Sequence, residues 1–167
     1  MKLLSILEEK DISKFKELTV SGFILPLTGW SSDYKTTFTL DEALKIKEAC
    51  PDKLCFLIMN RFIFEKDLLA LEKLYEKIEQ SSFMGILFYD DAILQLKKEK
   101  NYKTPLYYAK THMAMNSDTL LLYQNEGATG AVLSSSITLD EIKAIRKKVT
   151  MPLMTLLMGY PIEASSK

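Results

Sequence analysis

Short apolar runs rich in strand-forming residues recur along the chain, at Lys2–Leu7, Gly22–Leu27, Leu54–Met59, Met84–Tyr89, Leu106–Ala109, Ala131–Leu133 and Pro152–Met158. Stretches of helical period lie between them. The clearest is Lys66–Gln80, where Leu68, Leu69, Leu71, Leu74, Tyr75 and Ile78 are expected on one side and Glu72, Lys73, Glu76 and Lys77 on the other. Thr39-Leu40-Asp41-Glu42 and Thr138-Leu139-Asp140-Glu141 are near-identical helix starts. In each, a threonine can accept from free amides while a glutamate three residues on reaches back, the pattern of a capping box. Asn116-Ser117-Asp118 opens a further helix, and Gly127 is placed to close it in the left-handed conformation.

Strands apolar on both faces and separated by helices call for a parallel sheet covered by helices. Right-handed crossovers then build either a barrel or a doubly wound open sheet. No Gly-rich phosphate loop follows the first strand, which removes the dinucleotide-binding form of the open sheet. The expectation is therefore one α/β domain over residues 1–167, a parallel (β/α) barrel. About seven strands are counted, where a closed barrel has eight, so the barrel is expected to be incomplete. An unclosed edge needs covering, and a second copy or a partner subunit at the C-terminal strand is one way to cover it.

Composition narrows the function. Twenty-two basic residues balance twenty-two acidic ones, which argues against a nucleic-acid partner. The basic runs Lys97-Lys98-Glu99-Lys100 and Arg146-Lys147-Lys148 fall at helix ends, where cations complement the dipole. Cys50 and Cys55 are too few for a disulfide framework or a thiolate metal site, and point to a reduced, cytoplasmic setting. No apolar run is long enough to cross a bilayer, and the first residues make a poor signal peptide.

Several phrases of the chain bear a family likeness. Phe38-Thr39-Leu40-Asp41-Glu42 leads into a helix, Leu57-Ile58-Met59-Asn60-Arg61 ends a strand, and Gly85-Ile86-Leu87-Phe88-Tyr89-Asp90 ends the next. Ala109-Lys110-Thr111-His112-Met113 with Asn116-Ser117 is similar to Ala-Ser-Thr-Gln-Met followed by Thr-Asn-Ser, and Gly127 through Ile142 keeps the order Gly, Val-Leu-Ser, Leu-Asp-Glu-Ile. From about Phe38 to Gly159 the chain thus resembles the U32 peptidase family, whose members are often labelled collagenase-like proteases. That resemblance implies a barrel fold and a peptidase label.

It also exposes departures. Where the family typically carries Arg-Glu after the Val-Leu-Ser strand, this chain has Ser135-Ser136, and Leu157-Met158-Gly159-Tyr160-Pro161 replaces a His-Gly and cysteine element. Some members resemble iron–sulfur proteins acting in RNA or quinone hydroxylation. With none of those cysteines in this sequence, no cluster and no other cofactor is expected. The reading is a U32-like protein without intact catalytic chemistry of its own. A non-catalytic binding or regulatory subunit, or a barrel-type sensor of an anionic metabolite, is the alternative.

In such a barrel, ligands bind where strands end and loops begin. That rule selects Thr28-Gly29-Trp30, Asn60, Arg61, Asp90-Asp91, Lys110-Thr111-His112, Ser134–Ser136 and Gly159-Tyr160. His112, the only histidine, is a candidate general base, or else a hydrogen-bonded or exposed imidazole past a strand. Asp90 is a candidate catalytic carboxylate or the cap of the helix that follows. Asn60, Arg61, Lys110 and Ser135 are candidate substrate contacts; Arg61 and Lys110 could hold an anion or pair with Asp90. No metal site is expected, because one histidine and scattered carboxylates do not match zinc spacing.

Overall fold

A computed structural model describes residues 2–110 and 112–157. Seven strands form one sheet: β1 (Leu4–Ile6), β2 (Gly22–Pro26), β3 (Leu54–Met59), β4 (Gly85–Phe88), β5 (Leu106–Tyr108), β6 (Gly130–Val132) and β7 (Leu153–Met154). The helices are α1 (Ile12–Lys16), α2 (Leu40–Ala49), α3 (Leu68–Glu79), α4 (Asp91–Lys100), α5 (Ser117–Asn125) and α6 (Leu139–Arg146), with a 3-10 turn at Glu65–Asp67 before α3. Every strand pairs in parallel with its sequence neighbour, in the order β1 to β7.

Sequential order alone suits a barrel, and the packing decides it. The large apolar cluster joins one face of the sheet (Phe23, Leu25, Leu57, Phe88, Tyr108, Ala131) to helix residues such as Ile46, Leu71, Ile93, Leu120 and Ile145. The second cluster is built from the opposite face, by Phe56, Ile58, Leu87, Tyr107 and Ala109, with half-buried Leu4, Ile24, Val132 and Met154 against them. Among the described residues, no helix residue joins that second cluster; the loop residue Tyr34 does. Helices therefore cover one face, and the sheet curls over the other as a half-barrel. Because side chains alternate with period two, a strand such as β3 feeds Phe56 and Ile58 to the concave side and Leu57 and Met59 to the helices. This explains why both sides of each strand read as apolar.

Within the concave cluster, the Tyr107 ring lies between two glycines. Tyr107 on β5 pairs with Gly130 on β6 and meets Phe56 edge-on, ring centroids 5.3 Å apart. A Cβ on Gly130 would lie 2.5 Å from the Tyr107 ring, and one on Gly85 would lie 2.8 Å from it. Such contacts leave no room for a side chain, so glycine here is a packing requirement.

Local signals behave as the residues dictate. Both capping boxes form: the Glu42 amide donates to Thr39 Oγ1 at 3.2 Å and the Glu141 amide to Thr138 Oγ1 at 3.3 Å, with each glutamate accepting from its threonine amide. Gly127 takes φ 101° after α5. The basic runs end helices and are partnered there. Lys97 Nζ donates to the Thr104 carbonyl at 2.8 Å, Lys98 pairs with Glu126, Lys100 pairs with Glu72, and Arg146 donates to the Met151 carbonyl at 2.8 Å.

Two expectations are adjusted. Of the apolar residues in Lys66–Gln80, Leu71, Tyr75 and Ile78 are buried, but Leu69 is 65% exposed and Leu68 39%. The buried set keeps a three-to-four-residue spacing; Leu69 lies off that stripe, whereas Leu68, three residues before Leu71, keeps the spacing but begins the first turn of α3. The last strand is shorter than Pro152–Met158, spanning Leu153–Met154, and Met158 lies outside the described residues. No described helix is long and apolar enough to cross a membrane.

Candidate functional site

The strand ends at the C-terminal side of the sheet carry almost every residue that the sequence nominates. Asn60, just past β3, uses its whole side-chain amide on one residue: the Ser32 amide donates to Oδ1 at 2.9 Å, and Nδ2 donates to the Ser32 carbonyl at 3.2 Å. That pair, with Ser31 Oγ donating to the Ile58 carbonyl at 2.6 Å, fastens the loop after β2 across the end of β3. Arg61 continues the tie. Its guanidinium lies 5.1 Å from the centroid of the half-buried Trp30 ring and pairs with Asp67 at 2.8 Å. A cation over an indole face gains from the ring quadrupole, and the carboxylate fixes the fork.

Asp90, at the end of β4, has both oxygens on backbone amides. Oδ1 accepts from Ala92 at 3.0 Å, capping α4, and Oδ2 accepts from Ile63 at 2.9 Å, tethering the loop after β3. Its neighbour Asp91 accepts from Tyr123 at 3.0 Å and lies 3.8 Å from Lys110 Nζ. Arg61 and Lys110 thus pair with Asp67 and Asp91, and no ion pair of either with Asp90 occurs among the described residues.

His112 is exposed, past the end of β5. Its Nδ1 lies 2.9 Å from the Tyr89 hydroxyl, and the ring centroids are 5.6 Å apart. Tyr89 in turn meets the half-exposed Phe62 edge-on at 6.4 Å. Tyr34 enters the concave side from the loop after β2; burial pushes its phenol up to about 12, with Asp33 and Tyr89 adding to the effect. Ser134 is buried and holds the next turn by accepting from the Ser136 amide at 3.2 Å, while Ser135 is exposed. Gly159 and Tyr160 lie outside the described residues, as does Thr111.

The mouth therefore carries an aromatic rim of Phe62, Tyr89 and Tyr34 with His112 set into it, and Arg61 continues it to Trp30, whose ring also packs against the large cluster. No hydrogen bond links His112 to Asp90 or Ser135 among the described residues. No group of three or more histidine, cysteine, aspartate or glutamate residues suited to a metal ion occurs among them either. Surface grooves of about 340 Å³ between α2 and α3 and about 470 Å³ between α4 and α5 lie on the helical side, away from the rim.

Tyr89 was legible and missed: Gly85, Leu87 and Tyr89 share one side of β4 by strict alternation, so its ring had to end the concave face at the mouth. Tyr34 carried no such signal, sitting in a polar loop of no period.

A model of peptidase family U32 matches residues 34–167, four-fifths of the chain. The chain belongs to peptidase family U32. The match begins at Tyr34, so the strand ends after β3, β4, β5 and β6 all fall inside it. Among solved structures, that of the U32 peptidase Mk0906 is similar at a TM-score of 0.72 and 14% identity, over 93% of this chain and 68% of that one. A 3-hexulose-6-phosphate synthase is similar at a TM-score of 0.59 and 13% identity, over 95% of this chain and 81% of that one. At such identities the likeness concerns the fold, which both share with this U32 chain. No curated protein matches it.

Proposed function

We propose that this U32-family chain is a polypeptide-binding half-barrel that holds its ligand at the aromatic rim and does not hydrolyse it unaided. The observation that carries the reading is the placement of Asp90: its two carboxylate oxygens accept from the Ala92 and Ile63 amides, capping a helix and tethering a loop. A general base must reach the proton it removes, and Asp90 reaches two structural amides instead. His112 meets a phenol rather than a carboxylate or a hydroxyl nucleophile. Exposed Phe62 and half-buried Trp30 and Tyr89 supply the amphipathic contact area that extended polypeptides use. Free, buried Cys50 and Cys55 suit a reducing, cytoplasmic setting.

Trp30 is the only tryptophan, so its fluorescence reports on the rim directly. Titration with a library of unstructured peptides is expected to give a saturable change that Phe62→Ala weakens. A flat titration across the library would contradict polypeptide binding at this rim.

A second reading rests on the open edges. β1 and β7 end the sheet without pairing to each other, and Ile6, Leu156 and Leu157 beside them are 41%, 44% and 68% exposed. A partner subunit or a second copy covering this seam would act as the missing strand. A solution mass near twice 19.1 kDa would favour it, and a monomer would weigh against self-association.

A further inference from the structure

The loop after β5 reads His112-Met113-Ala114-Met115, an imidazole and two thioethers within four consecutive positions. Two of these are apolar side chains left in water: Met113 is 49% exposed and Met115 46%. Ala114 between them is fully buried, and both of its neighbours are exposed. Core packing does not account for that arrangement.

The backbone of the loop is fixed. The Met113 and Ala114 amides donate to the Lys110 carbonyl at 2.9 and 3.1 Å, and the Met115 amide donates to the Met113 carbonyl at 3.0 Å. The Ser134 amide donates to the Ala114 carbonyl at 3.1 Å, and Asn116 caps α5 immediately afterwards. Tyr89 holds the imidazole through Nδ1, so Nε2 is the ring nitrogen turned over to a ligand.

We propose that this loop binds one monovalent soft cation, Cu(I), through His112 Nε2 and the sulfurs of Met113 and Met115. Thioethers are soft donors that select Cu(I), whereas magnesium and calcium take oxygen donors, and residues 110–115 contain no carboxylate. Lys110 is the nearest cation in sequence, but it lies 3.8 Å from Asp91, and a single positive charge beside it is opposed less than a divalent one. Coordination through Nε2 places the remaining ring proton on Nδ1, so His112 donates to the Tyr89 oxygen in the bound state. A ligating histidine oriented by a hydrogen bond on its other nitrogen is the usual arrangement at protein metal sites. The site shares His112 and Tyr89 with the rim, and silver binding read without peptide tests it separately from polypeptide binding.

Silver(I), a redox-inert stand-in for Cu(I), tests this on the full chain in chloride-free buffer, followed through the methyl signals of its eight methionines. The expected result is a saturable shift of the Met113 and Met115 methyls, assigned with Met113→Leu and Met115→Leu, at one ion per chain. The double leucine variant and His112→Asn are expected to lose at least roughly tenfold in affinity. Tyr89→Phe, which keeps the ring and removes only the oxygen on Nδ1, is expected to lose about tenfold. Unmoved Met113 and Met115 methyls at excess silver overturn the proposal, and so does silver uptake that all these variants leave unchanged, which would assign the metal to Cys50 or Cys55.

Discussion

Tyr89 at the end of β4 and His112 beyond the end of β5 meet across the mouth of the half-barrel, phenol oxygen to Nδ1 at 2.9 Å. The contact joins two successive strand ends and sets the only histidine of the chain among aromatic rings. The phenol takes up Nδ1 of that histidine. Asp90, one residue from Tyr89, is occupied elsewhere.

Replacing Asp90 tests its structural duty. Asp90→Ala removes a helix cap and a loop tether together, and is expected to destabilise the fold by about 1–3 kcal/mol. Asp90→Asn keeps an accepting oxygen at the cap and should lose less. Urea unfolding midpoints of the two variants check the order.

Asn60→Ala frees both backbone groups of Ser32. The expected cost is about 1–2 kcal/mol. A red shift of Trp30 emission should accompany it, because the loop that carries the indole loses its anchor. Stability and emission read from the same denaturant series separate this from a general loss of packing.

Gly130→Ala drives a methyl into the Tyr107 ring. Overpacking of this kind costs about 1–3 kcal/mol, and Gly130→Ala combined with Tyr107→Leu should recover part of it. Additive losses in the double variant would show that the ring is not what the methyl strikes.

Acid should loosen the junction between α3 and β5. Burial alone would raise the Glu79 carboxyl, but the Thr104 hydroxyl and the Lys103 and Thr104 amides all donate to it and bring it below the usual range. A carboxyl held below its unfolded value adds stability that is complete above that value, about 4.3 for glutamate. The increment is lost as pH falls through the depressed folded value. Glu79→Gln is therefore expected to lie below wild type at pH 6 and to converge with it towards pH 2, measured as unfolding midpoints. Parallel pH curves for the two proteins would contradict the linkage.

The fold was legible because its signals are periodic. Runs apolar on both faces marked a parallel sheet covered by helices, and threonine–glutamate spacing marked the starts of α2 and α6. What sequence could not supply was partner choice. Asp90 has the same side chain whether it caps a helix or serves a substrate, and only the approach of Ile63 from the preceding loop distinguishes the two. Arg61 was legible as a rim cation, but its partners Trp30 and Asp67 lie 31 residues before it and 6 after it, a pairing that no local period encodes. The loop from Thr28 to Thr37 carries Tyr34 into the concave side without any repeating signal.

The most direct test is peptide release from a mixed, denatured protein substrate by the purified wild-type chain beside His112→Ala, with products weighed by mass spectrometry. The expected result is that both leave the substrate intact, while wild type still gives the Trp30 response to peptides. Cleavage by wild type that His112→Ala abolishes would contradict it and return His112 to a catalytic role.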